Sequence, residues 1–117
     1  MSLTERFSET LANYRRHGWQ LRRVLLRPES REQLAAAAAA LFETAAIEES
    51  TIDALWFTRP SHAGREAWEL RLVAETPYAL FETFEADEAE DEREEVRQEM
   101  EARLREYAGG AVNPLRP

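Results

Sequence analysis

Few residues able to do chemistry in this chain stand at spacings that would let them do it. The two histidines, His17 and His62, fall in no HExxH or other short metal-ligand spacing. A metal site would have to gather distant carboxylates, so none is expected. There is no cysteine, which excludes disulfides, thiolate catalysis, cysteine zinc sites and iron–sulfur clusters. Every basic residue is arginine, and a P-loop needs a lysine behind a glycine-rich turn. Ser61 lies beside His62, but neighbouring residues project apart and no strand–turn–helix elbow surrounds them. No cofactor is expected.

Three groups of residues remain. Arg59, His62 and Arg65 crowd the stretch RPSHAGR, where forked guanidinium groups could converge on an anion. Glu82 interrupts the run YALFETF. A partly buried carboxylate there would have its pKa raised by desolvation and could serve as an acid or base. An ion pair with Arg22, Arg23 or Arg71, or exposure at a sheet edge, is the ordinary alternative. Arg15, Arg16, Arg22, Arg23 and Arg27 form a basic N-terminal group. No stacking motif of the RNA-recognition kind accompanies it, and the acidic C-terminal part would repel phosphate. The charge pattern therefore argues against nucleic acid and for a protein partner.

Charge is unevenly spread over the net −8. Residues 1–77 hold ten arginines against eleven acids, whereas residues 78–117 hold five against twelve. Ends of unlike charge favour head-to-tail or self-complementary association.

The elements that must carry these residues follow from periodicity and capping. Ser2 and Glu5 form a capping box, and Leu3, Phe7, Leu11 and Tyr14 make one helical stripe that Gly18 ends. WQLRRVLLRP reads as a strand with blurred alternation, the mark of a central strand or a bulge. Trp19, Leu21, Arg23 and Leu25 should share one face of it. Ser30 and Gln33 suggest a second capping box opening one helix through REQLAAAAAALFETAAIEE.

Ile52 to Thr58 and Glu66 to Ala74 read as paired strands around the arginine-bearing loop. With Trp56 opposite Trp68, Ala54 opposite Leu70 and Ile52 opposite Leu72, both indoles share a face under a helical layer. Leu55 and Phe57 then point the other way, with Phe81 from the next strand, and form an apolar face free for association. Residues 78–85 suit a third antiparallel strand; a helix capped by Thr76 with Pro77 at its first position is the competitor. EADEAEDEREEVRQEMEARLREY is the last helix, edged by Val96, Met100, Leu104 and Tyr107.

The expected architecture is an α+β domain over residues 1–108, ordered α-β-α-β-β-β-α. It has a largely antiparallel four-stranded sheet with helices packed on one face, and residues 109–117 are read as a flexible tail. The longest apolar run, LAAAAAALF, is far shorter than the roughly 20 residues of a membrane-spanning helix. MSLTERFSET lacks the basic-then-apolar order of a signal peptide, so the expected localisation is cytoplasmic. In size, acidity and α+β content the chain loosely resembles small acidic secretion chaperones; its strand–helix order differs and no motif is shared, so no residue is assigned on that ground. The leading functional expectation is a non-enzymatic interaction module, adaptor or chaperone-like, acting as a homodimer. The alternative is a ligand-binding or enzymatic domain with a sheet–helix pocket using Glu82 and nearby arginines.

Overall fold

The computed structural model describes residues 1–111. In chain order it contains α1 (Leu3–Arg16), β1 (Gln20–Leu26), α2 (Pro28–Leu34), α3 (Ala38–Phe42), β2 (Ala46–Glu49), β3 (Ala54–Pro60), β4 (Glu66–Leu72), β5 (Tyr78–Phe84) and α4 (Glu90–Ala111). The α+β class is as expected. The sheet, however, has five strands in the order β2-β1-β3-β4-β5 and is mixed, because β2 runs parallel to β1.

The additional strand comes from the segment expected to continue the second helix. Pro28 at the first helical position ends β1 and starts α2, with Arg27 rather than Ser30 as the N-cap. Ser30 is buried and donates its hydroxyl to Asp53. Between Leu34 and Leu41 no side chain extends beyond a methyl group, so the alanine run has propensity but little to bury. The helix breaks at residues 35–37, Glu43 takes φ 52°, and the chain turns into β2. Alanine's preference of a few tenths of a kcal/mol per residue yields to burial of Leu34 and Phe42 at the two ends.

β1 is central and bulged, as its blurred alternation implied. Its register with β3 shifts between Leu21 and Arg23. The bulge corrects the face assignment: Trp19 and Leu21 join Val24 and Leu26 on one side, while Leu25 packs on the other. β3 and β4 are antiparallel, with a register two residues away from the expected one. Trp56 faces Leu70, and Trp68 faces Thr58. The shift is even, so both indoles stay on one face, 5.9 Å apart in an edge-to-face arrangement.

Helices cover both faces, not one. On the first face α1, α2 and α3 bury Leu55 and Phe57 against Phe7, Leu11, Tyr14, Leu34 and Phe42. On the second, Met100 and Leu104 of α4 cover Trp56, Trp68, Leu70 and Phe84. The α1 capping box is present, and Gly18 follows the helix at φ +85°, a backbone state that glycine adopts without a Cβ clash. The last helix begins at Glu90 and runs through Gly109 to Ala111, past the expected boundary at residue 108. The rest of the expected tail, residues 112–117, lies outside the described residues.

Candidate functional site

The residues expected to act together at the β3–β4 turn are held apart. Arg59 donates to the carbonyl of His17 at 2.8 Å, and its guanidinium lies 4.4 Å from the Trp19 ring centroid. Arg65 reaches the other way, to both oxygens of Glu85 at 3.0 Å. His62 is exposed in a short 3-10 turn between them. No anion cradle is formed by this trio. Glu82 is exposed, and its carboxylate accepts from the amide of Thr83. The expected partial burial is absent, because β5 is the outermost strand and Glu82 lies at its open edge opposite Trp68.

The expected apolar interface is likewise redistributed. Leu55 and Phe57 are fully buried within the chain's own core. Phe81 keeps 57% of its surface exposed, at the midpoint of β5. Its ring sits edge-on to Trp19 at 6.3 Å, which places Phe81, Trp19 and Arg59 in one continuous strip. Tyr78, on the opposite face of β5, is 40% exposed and stacks on Tyr107 of α4 at 4.1 Å. Aromatic and arginine side chains grouped in this way have the composition of protein-binding hot spots.

The two sheet edges differ. β2 is four residues long and ends in Glu48 and Glu49, a short charged edge of the kind that discourages further pairing. β5 has seven residues, no proline, no arginine and Glu82 as its one charge. Among the described residues no strand pairs with its outer side. A long apolar edge with exposed backbone groups is a template for another strand.

Beside this edge, a small cavity of about 210 Å³ is lined by Tyr14, His17, Trp19, Glu69 and Arg71 among others. Tyr14 donates its hydroxyl to Glu69 and stacks on Phe57. Burial, then the hydrogen bond to Glu69, push the phenol up to about 12, so it stays protonated through the neutral range. A second, larger cavity of about 700 Å³ opens at the far end of the sheet. Glu82 lines neither of these cavities.

Under α4 lies a charged network that no short motif announced. Arg23 clasps Glu94 through two bonds of 3.1 and 2.7 Å, and this pairing holds the Glu94 carboxyl down at about 2. Arg97, 1% exposed, lies 4.5 Å from the Trp68 ring and binds Glu94 and Glu90. Glu101 accepts from the Trp56 indole at 2.8 Å, and burial nonetheless pushes its carboxyl above the ordinary range. The signal in the sequence was the i,i+3 pair of Glu94 and Arg97 on the helix's inner side, indistinguishable there from a solvated charge run. Among the described residues no group of three histidine or carboxylate side chains is placed to hold a metal ion, and no helix is long and apolar enough to cross a membrane. No protein family, curated protein or solved structure matches the chain.

Proposed function

We propose that the protein is a non-enzymatic interaction module that self-associates through β5, a second copy adding its own β5 antiparallel to the first. The observation that carries this reading is the half-exposed Phe81 at the centre of a seven-residue, nearly uncharged free edge. A two-fold pairing centred on Phe81 aligns the whole strand with itself. It sets Phe81 against its counterpart, Ala79 against Thr83 and Leu80 against Glu82. Main-chain bonds would give affinity, and the aromatic pair would fix the register. Both sheets would continue into one, and the composition of the Phe81–Trp19–Arg59 strip suits its burial at the seam.

Sedimentation equilibrium over a concentration series tests this. The wild-type chain is expected to dimerise in the micromolar range, more tightly as salt screens the net −8 on each copy. Phe81→Glu removes burial worth about 1 kcal/mol per copy and places two charges together, so dimerisation weakens by roughly thirty-fold or more. Its melting as a monomer stays unchanged, since the ring contributes little to the core. A chain that remains monomeric at several hundred micromolar, or a Phe81→Glu dimer as tight as wild type, overturns the proposal.

A further inference from the structure

The cavity of about 700 Å³ lies at the end of the sheet where β3 begins and β4 ends, away from the β3–β4 turn. It is bounded by the start of α1, the entry to β3, the exit from β4 and the last turns of α4. Its volume is in the range of small-molecule sites, roughly 300–1,000 Å³. The lining divides into two chemistries. Leu3, Ile52, Leu72, Val73 and Ala108 supply an apolar floor, and Ile52 and Leu72 are continuous with the α4-side core.

Three arginines reach the same cavity from three separate parts of the chain: Arg6 on α1, Arg27 after β1 and Arg105 on α4. Two carboxylates, Asp53 and Glu75, stand against them. Asp53 is 5% exposed and its oxygens are already used. One accepts from the Arg27 amide at 2.9 Å, the other from the Ser30 hydroxyl at 2.6 Å. The Arg27 Nε at 3.4 Å adds a longer contact that holds that side chain at the cavity. Arg105 stands 3.7 Å from Glu101, an ion pair longer than a hydrogen bond. Arg27 also pairs with Glu29 at 3.4 Å, so Arg6 and the loosely paired Arg105 are the arginines of the lining most open to a ligand.

We infer that this cavity binds a small amphiphilic anion, an aliphatic chain ending in a single carboxylate. The chain would lie on the Ile52–Leu72 floor, and the head group would meet the arginine rim. Guanidinium forks suit a carboxylate because they offer paired donors in one plane. An alcohol of the same length gains only the apolar part, and a quaternary ammonium meets the wrong charge. No residue of β5 lines the cavity, but Tyr107 in its wall stacks on Tyr78 of β5, so the oligomeric state is recorded beside binding to keep the two proposals apart.

Isothermal titration of the full chain with decanoate, decanol and decyltrimethylammonium tests it, with sedimentation run alongside to record the oligomeric state. Decanoate is expected to bind at one site, at least about tenfold more tightly than decanol, and the cation to bind not at all. Arg6→Gln and Arg105→Gln should each weaken decanoate about tenfold, as loss of a charge-assisted bond does, while decanol affinity and thermal melting stay put. Equal affinity for decanoate and decanol, no binding of either, or full decanoate binding by both arginine variants overturns the inference.

Discussion

The two faces of the sheet are held by different chemistry. On the α1 face the buried contacts are apolar and aromatic: Phe7 meets Phe42 edge-on at 5.6 Å, and Tyr14 stacks on Phe57 at 4.1 Å, while the exposed Arg59 and half-buried Arg71 lie over Trp19 and Tyr14. On the α4 face three arginine guanidinium groups lie over rings, Arg22 at 5.8 Å from Trp68 among them. Arg97 is near both Trp68 and Phe84, and Arg93 is 5.7 Å from Phe84. Only Met100 and Leu104 among the large apolar residues of α4 are fully enclosed. A helix with so narrow an apolar edge is attached by its arginines, whose guanidinium groups cover rings while their N–H edges reach carboxylates. The α1 face is therefore held mainly by area removed from water, and the α4 face by a balance of desolvation and pairing.

The largest expected effect breaks the first face. Phe7 is fully buried in the α1-side core, and Phe7→Ala should cost about 3–5 kcal/mol, a transfer loss plus a cavity. Urea denaturation followed by circular dichroism checks it. A cost below about 1 kcal/mol would mean that this face is not the dry core its contacts describe.

The next effect separates stem from charge on the second face. Arg97 is 1% exposed, yet its Nη1 has no hydrogen-bond partner within the described residues. Its charge is incompletely satisfied, so a neutral side chain of similar length should do nearly as well. Arg97→Met is expected to change stability by about 1 kcal/mol or less, in either direction. Arg97→Ala removes the cover over Trp68 and Phe84 and should cost about 2 kcal/mol. The same urea titration compares them. If the two variants fall together, the ion pairs and not the stem hold α4, and the distinction between the faces sharpens in the opposite sense.

This contrast also explains what could be read in advance. α1 was legible because its caps, stripe and terminal glycine agree, and because its buried residues are all apolar. The β3–β4 pair was legible in parity but not in offset. Even-numbered slips preserve the face of every side chain, so the hydrophobic pattern could place Trp56 and Trp68 together without fixing which residue lay opposite. The break at residues 35–37 was not legible, since alanine propensity points to a continuous helix and only tertiary burial of Leu34 and Phe42 overrules it. Burial of Arg97 and Glu101 was invisible for a related reason. Their letters are those of a solvated helix face, and the rings they meet, Trp68 and Phe84 for Arg97 and Trp56 for Glu101, lie far off in sequence on β4, β5 and β3. Of the candidate site residues, Phe81 alone kept an exposed apolar surface; Leu55 and Phe57 were lost to helices expected elsewhere.

The smallest effect is a pH dependence that should belong to one face alone across the acid and neutral range. Glu94 is held down at about 2 by Arg23. Its stabilising contribution is present above the ordinary glutamate range, near 4.5, and is lost as pH falls toward 2. Glu101 behaves in the opposite way. Burial lifts its carboxyl above 4.5 despite the Trp56 hydrogen bond, so its contribution is complete below 4.5 and is lost as pH rises through the raised value. Glu101→Gln keeps an oxygen for the Trp56 indole and removes the charge. It should raise Tm at pH 7, and the gain should fade as pH is lowered to 4, where the wild-type carboxyl is already protonated. On the α1 face the Tyr14 phenol, raised to about 12, loses its contribution only as pH climbs from 10 toward that value. A Phe7→Leu variant should accordingly show the same Tm difference at pH 4 and pH 7. Were Glu101→Gln equally indifferent to pH, the carboxylate under α4 would carry no desolvation cost, and the electrostatic account of that face would fail while the apolar account of the other stood.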